Sequence, residues 1–135
     1  MASAAESLFE QAAAVRERAY APYSKFRVGA AIEDEAGRIH VGCNVENAAY
    51  PNGACAEAGA IAAMIAGGGK RIRKIAVIGG GENIETCTPC GGCRQRISEF
   101  ADQETEILLK DETGAVRSYS MEELLPAAFA LDRND

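Results

Sequence analysis

Hydrophobic and polar positions repeat first at helical and then at strand spacing along the chain. Leu8, Ala12 and Val15 lie three or four positions apart, which predicts a helix from about Ser3 to Ala19. On both sides of a polar turn at 34–37, apolar residues then occupy every second position, as in two strands joined by a tight connection. The opening segment therefore predicts a helix followed by a β-hairpin.

Helices and strands alternate through the rest of the chain. The further predicted elements are, in chain order, an Ala-rich helix at 55–66, a buried strand at 74–81, a helix within 87–100, a strand at 105–110, a short strand near Val116 and a last helix from about Met121. This alternation predicts an α/β fold, a three-layer α/β/α sandwich with a mixed five-stranded sheet. No linker or repeat divides the chain, so we expect a single domain at 1–135.

Composition and charge narrow the class of protein. The 135 residues, of which 47% are hydrophobic and 25% charged, suit one globular domain. The formal net charge is -6 and the one basic cluster, at 70–74, is short, so a nucleic-acid polymer is not an expected partner. No segment resembles a signal peptide or reaches the ~18 apolar residues of a membrane span, so we expect a cytoplasmic protein without a membrane partner. The single histidine, His40, is interpreted as a surface residue.

The cysteines carry the first chemical signal. In a cytoplasmic chain, five cysteines indicate metal ligands, catalytic groups or small buried side chains rather than disulfides. Cys90 and Cys93 lie three positions apart at a predicted helix start, which puts both thiols on one face, and Cys55 opens the earlier predicted helix. A pair of this spacing with a distant third cysteine matches zinc sites, and zinc with three protein ligands keeps a position for water.

Glu57 adds an acid to this group, provided that Cys55 lies at the helix entry, because residues two apart on a regular helix diverge. A carboxylate beside a zinc-bound water can take its proton and pass it on, whereas a structural zinc site needs no such group. Cys87 leaves an alternative open, because Cys87-x-x-Cys90 repeats the spacing and a fourth thiolate would close the site. A redox role for the C-x-x-C pair is also open, and Cys43 and Cys87 are otherwise interpreted as small apolar fillers.

Four segments resemble the small, homotetrameric, three-cysteine zinc type of cytidine deaminase. They are YAPYSKFRVGAA (20–31), GCNVENAAYPNGACAE (42–57), PCGGCRQ (89–95) and EELLPAAF (122–129), in the order of that family. They include Cys-Ala-Glu and Pro-Cys-Gly-Gly-Cys, which fit the zinc deaminase signature. The resemblance implies a cytidine-deaminase-like fold and hydrolytic deamination of free cytidine and 2′-deoxycytidine to the uridine products, a reaction of pyrimidine salvage.

The resemblance also implies a role for each matching residue. Cys55, Cys90 and Cys93 would bind one catalytic Zn²⁺ per subunit, and Glu57 would carry protons from the zinc-bound water to the base and the departing amine. The implied substrate-binding residues are Phe26, Asn44, Glu46, Tyr50 and Phe129, the last from a neighbouring subunit of a homotetramer. Simpler roles stay open, because an aromatic residue is often core and Asn44 could satisfy local backbone in a turn.

Ala58 departs from the family pattern, since many relatives have Arg directly after the catalytic glutamate. Three thiolates leave Zn²⁺ with a net charge of about -1, which opposes acidification of its water unless a cation offsets it. Arg94, next to Cys93, is the candidate for this role. Two other functions stay open: deamination of another aminopyrimidine nucleoside such as blasticidin S, and a non-catalytic structural zinc module.

Overall fold

The fold consists of helices on both faces of one mixed sheet. A computed structural model describes residues 4–132. The described elements are α1 (Ala4–Arg16), β1 (Arg27–Asp34), β2 (Ile39–Cys43), a 3-10 turn (Tyr50–Asn52), α2 (Ala56–Ala66), β3 (Ile72–Gly80), β4 (Ile84–Glu85), α3 (Gly91–Phe100), β5 (Glu106–Lys110), β6 (Val116–Tyr119) and α4 (Met121–Leu124). Within these residues, no helix has the length and apolar character that crossing a membrane requires.

The sheet has the strand order β2-β1-β3-β5-β6, and β4 pairs with the end of β3. β3 and β5 are parallel, whereas the other neighbours are antiparallel. The predicted hairpin and the mixed sheet are therefore confirmed. The described part of the chain has six strands rather than the predicted five, because β4 is only two residues long and too short to show a strand period.

Alternate residues of β3 supply the two cores that hold the three layers together. Ala76 and Ile78 face α1, where they pack with Leu8 and Phe9. Ile75 and Val77 belong to the larger core on the opposite face, which also contains residues of α2, α3 and α4. A strand that is covered on both faces has a nearly continuous run of apolar residues in its sequence, as β3 does. The predicted three-layer α/β/α sandwich is confirmed.

The first helix is shorter than predicted, and the last helix has only 4 residues. α1 ends at Arg16, whose guanidinium donates hydrogen bonds to Gly80 O at 2.8 Å and Gly81 O at 2.7 Å. The predicted first residue of this helix, Ser3, lies outside the described residues. α4 ends at Leu124, because the proline at 126 disfavours helical backbone at the residue before it.

His40 is not a surface residue, contrary to the interpretation of the sequence. Its side chain is 11% exposed, and its Nε2 lies 2.8 Å from Oδ2 of the fully buried Asp34. The C-terminal end of α2 covers this part of the hairpin, since a Cβ at Gly67 would lie 2.8 Å from the His40 ring. A strand pattern shows which face a residue takes, but it cannot show that a helix covers an edge strand.

Candidate active site

Two helix entrances bring three thiols together. Cys55 is the N-cap residue of α2, Cys90 is the N-cap residue of α3, and Cys93 lies in the first turn of α3. Their Sγ atoms lie within 4.8 Å of one another. A tetrahedral zinc with Zn–S bonds of about 2.3 Å places its sulfurs about 3.8 Å apart, so a small inward movement would let these thiols hold Zn²⁺.

Burial and backbone dipoles act in opposite directions on these thiols. Backbone N–H groups at the start of α3, first that of Cys93, lower the pKa of Cys90 below its usual value. Burial raises the pKa of both Cys55 and Cys93, and the charge of Glu57 raises each further. Cys55 and Cys93 therefore favour the neutral thiol in the absence of a nearby cation, and a bound Zn²⁺ would favour their thiolates.

Glu57 lies in the first turn of α2 beside these thiols. It is 5% exposed, and it lines the same cavity as the three cysteines. Burial raises the pKa of its carboxyl group, although a hydrogen bond with Cys93 partly opposes that rise. Since Cys55 occupies the helix entry, the geometric condition for the two side chains to converge is met.

Cys87 lines the cavity but is not part of the thiol group. The metal-ligand cluster found among residues 4–132 contains Cys55, Cys90 and Cys93 and not Cys87. Cys87 packs instead against the larger core, where burial raises the pKa of its thiol to about 11. The geometry therefore favours a site with three protein ligands over a closed four-thiolate site.

The cavity at the helix entrances has a volume of about 590 Å³, within the range of small-molecule sites. Three stretches of chain supply its walls: residues 23–28, 44–57 and 87–93. Its lining residues that the sequence did not single out are Tyr23, Ser24, Val28, Val45, Asn47, Gly53, Ala54, Ala56 and Thr88. Most of these lie inside the segments at 20–31 and 42–57 that carry the family resemblance, which is the signal that could have found them.

Asn44 and Glu46 line this cavity and also hold the loop before β1. The Asn44 amide accepts a hydrogen bond from Val28 N at 2.8 Å and donates one to Phe26 O at 2.9 Å. Glu46 accepts from Tyr23 N at 2.9 Å and from the backbone and hydroxyl groups of Ser24. The Ser24 hydroxyl group is the main cause of the lowered pKa of Glu46. The structure thus shows the local backbone role that the sequence left open for Asn44.

The three predicted aromatic contacts occupy different positions. Tyr50 lines the cavity, is 79% exposed and meets Tyr23 edge to face at 6.5 Å between ring centroids. Phe26 does not line it, and its ring lies against β3, because a Cβ at Gly79 would be 3.2 Å from Phe26 Cε1. Phe129 is 69% exposed and lies outside the cavity of its own chain.

The structure separates two arginines of α3 that sequence reasoning did not distinguish. Arg94 donates hydrogen bonds to Pro89 O at 2.8 Å and Leu124 O at 2.9 Å, so it ties the loop before α3 to α4. Arg96, which the sequence reasoning missed, reaches Cys93 Sγ with its Nη1 at 3.8 Å. The signal for it was spacing, because a residue three positions after Cys93 lies on the same helix face.

Comparisons with known proteins agree on one family. The family model described as the cytidine and deoxycytidylate deaminase zinc-binding region matches residues 2–109. A cytidine deaminase of Sporosarcina psychrophila is 39% identical over 93% of this chain and 90% of its own length, and one of Mycobacterium tuberculosis is 43% identical over 84% and 80%. A crystal structure of cytidine deaminase from Burkholderia pseudomallei, 43% identical, superposes with a TM-score of 0.82 over 91% of this chain and 97% of that one.

Proposed function

We propose, from the premise that this chain belongs to the cytidine and deoxycytidylate deaminase zinc-binding family, that it hydrolyses cytidine to uridine and ammonia in the cavity at its helix entrances. The observation that carries this proposal is the meeting of three thiols and a buried carboxyl group in one cavity. A structural zinc module has no use for Glu57 in that position, and the exclusion of Cys87 from the thiol group leaves room for a reactant.

Cys55, Cys90 and Cys93 would hold the metal, with one zinc per subunit. When bound, Zn²⁺ acts as a Lewis acid and supplies an acidified water as the nucleophile. The N-termini of α2 and α3 favour the ligand thiolates through their dipoles, and backbone N–H groups of α3 support the Cys90 thiolate directly. Thiol ligands must stay reduced, and the cytoplasm keeps thiols reduced. The proposed setting of the reaction is therefore pyrimidine salvage in the cytoplasm.

Glu57 would carry the protons of the reaction. Addition of water at C4 of the base breaks one O–H bond, and that proton goes to N3. When the C4–N bond breaks and the C4 carbonyl forms, the remaining proton of the added hydroxyl group goes to the departing amine, so that water and cytidine give uridine and ammonia. A carboxyl group buried beside the reacting atoms exchanges protons near neutral pH more readily than an exposed one. Glu57 is therefore assigned as the general base and then the general acid.

The nucleoside would lie along residues 44–50 with its base towards Glu57. Asn44 uses one of its two amide hydrogens and one lone pair on backbone, so a second hydrogen bond from each atom is free for a ribose hydroxyl group. The carboxylate of Glu46 would accept from a hydroxyl group as well. A deoxyribose lacks one of these hydroxyl groups but meets no obstacle, so 2′-deoxycytidine is proposed as a second substrate of the same site.

The test follows the ultraviolet absorbance of cytidine as purified protein is added, with and without a zinc chelator. General acid–base catalysis contributes about 100-fold to 10,000-fold, so Glu57→Gln should lower kcat by at least about 100-fold with its zinc content unchanged. Glu10→Gln, on the exposed surface of α1, is the matched control and should keep the activity of the wild type.

Two results would contradict the proposal. Zinc-loaded wild-type protein that consumes neither cytidine nor 2′-deoxycytidine would indicate a structural zinc module or a different nucleoside substrate. Turnover that survives in Glu57→Gln at the wild-type rate would reject the assignment of Glu57 as proton carrier. Uridine formation in the wild type and its loss with the chelator would support the zinc-dependent reaction.

A further inference from the structure

A second cavity lies between α2 and α3, beside the helix turns that carry the thiols. Its volume is about 410 Å³. Its walls are formed by Ala58, Ile61, Ala62, Gln95, Arg96, Glu99 and Phe100. Position 58 of α2, directly after Glu57, contributes only a methyl group to this cavity. The cavity therefore contains no long side chain from this position of α2.

Arg96 enters the same region from α3. Its Nη1 lies 3.8 Å from Cys93 Sγ, within reach of a hydrogen bond to sulfur. The attraction of its positive charge extends to Cys55 and Glu57 as well. Arg94, by contrast, donates hydrogen bonds from its guanidinium to two backbone carbonyl oxygens. Arg94 therefore holds the loop before α3, and Arg96 contacts the thiol group.

The charge of a three-thiolate site shows why a cation is needed there. Binding of Zn²⁺ to three thiols releases three protons, so the local charge changes from zero to about -1. A guanidinium next to the sulfurs stabilises the charged, metal-bound state and reduces the electron donation of the thiolate to the metal. The removal of this cation should therefore weaken zinc binding near neutral pH.

We propose that Arg96 is a positioning residue for the metal centre, which balances the zinc-thiolate charge from α3 in the place of a cation at position 58. The inference rests on the proposed zinc-dependent deaminase site. Because Arg96 does not line the nucleoside cavity, it acts through the cysteines and not on the substrate.

The test measures zinc affinity by competition with a chromophoric chelator. Loss of a group that supports metal ligands typically costs 10-fold to 100-fold in affinity, so Arg96→Gln should weaken zinc binding by about 10-fold or more. Arg96→Lys should retain part of the affinity, because it keeps the charge. The double variant Ala58→Arg/Arg96→Gln should recover affinity from the α2 side, and Arg18→Gln, an exposed arginine just after α1, should match the wild type.

Two further readouts separate this role from a general effect on folding. In the cobalt-substituted protein, the thiolate-to-cobalt absorption band should move to longer wavelength in Arg96→Gln, because an uncompensated thiolate is a better electron donor. With zinc at saturation, kcat for cytidine should fall while KM stays near that of the wild type. Circular dichroism of each variant checks that the fold is kept.

Defined outcomes would overturn the inference. Zinc affinity and a cobalt spectrum equal to those of the wild type in folded Arg96→Gln would reject it. A loss that neither Arg96→Lys nor Ala58→Arg relieves would show that Arg96 matters only for packing. Wild-type protein that binds zinc without deaminating cytidine would refute the proposed function alone, since the zinc affinities would still test Arg96.

Discussion

Cys87 and Cys90 lie three positions apart but differ in what surrounds them. Cys90 caps α3 and belongs to the thiol group, whereas Cys87 packs against the core. We predict that Cys87→Ala keeps one zinc per chain and that Cys90→Ala loses most of its zinc at chelator concentrations that the wild type withstands. Atomic emission of the dialysed proteins measures both contents.

Cys43→Ala is the control for this comparison, because Cys43 is a half-buried residue of β2 outside the thiol group. It should keep its zinc as the wild type does. A zinc-free Cys87→Ala protein would indicate four thiolate ligands, and with them a closed metal site that leaves no position for water.

At this scale the sequence predicts the thiols better than it predicts the arginines. A C-x-x-C pair at a helix start constrains both side chains to one face, so Cys90 and Cys93 could be placed together from spacing alone. An arginine has a long, flexible side chain whose guanidinium can end up far from its Cα. Arg94, the sequence neighbour of Cys93, bonds carbonyl groups, while Arg96, about one helical turn after Cys93, reaches the sulfur.

At the scale of elements, the close contact of α2 with β2 positions the first part of the site. A Cβ at Gly42 would lie 2.3 Å from Ala60 N, so this strand position accepts only glycine while the helix stays where it is. Gly59 faces it across the contact with more room, because a Cβ there would lie 3.6 Å from the nearest atom. The two glycines are therefore a matched pair.

We predict that Gly42→Ala lowers the free energy of unfolding by about 1–3 kcal/mol, the usual cost of overpacking, and lowers zinc affinity because α2 must move away with Cys55 and Glu57. Gly59→Ala should instead raise the free energy of unfolding by about 0.5–1 kcal/mol, since alanine suits a helix interior better than glycine. Urea denaturation measures both changes. Equal destabilisation by the two substitutions would show that the contact is looser than described.

The turns were predictable and the element ends were less so. Asp34 and Asp111 open the same four-letter pattern, D-E-x-G, and in both turns the carboxylate accepts hydrogen bonds from backbone N–H groups two and four residues later. Such local hydrogen bonds depend on adjacent residues alone and can be predicted from them. The extent of α1 depends instead on bonds between Arg16 and the distant end of β3, which no local pattern contains.

At the scale of the whole molecule, the layers follow from the alternation of elements, but the strand order does not. The apolar run of β3 predicts burial on both faces and hence a central strand. Which strands flank it depends on contacts between distant segments, such as the parallel pairing of Ile75 with Ile107. The same limit applies to subunit contacts, which join residues of different chains.

Phe129 carries the prediction that concerns assembly. It is exposed on its own chain, and the rim of the cavity also exposes Tyr23, Val45 and Tyr50, an apolar surface of the kind that subunit contacts cover. We predict a homotetramer in which Phe129 completes the cavity of a neighbouring subunit. Co-expression of Glu57→Gln with Phe129→Ala should then restore intact sites, about a quarter of the total if subunits mix randomly.

The measurement is the rate of cytidine deamination at low substrate, with the mass of the complex taken from sedimentation. The co-assembled protein should exceed the mean rate of the two variants assayed separately, because each intact site takes Glu57 from one chain and Phe129 from another. Co-expression of Glu57→Gln with Cys90→Ala is the control and should show no gain, since Glu57 and Cys90 of one chain line the same cavity and both must come from that chain. A monomeric protein with full activity, or mixed assemblies without any gain, would place Phe129 outside the active site.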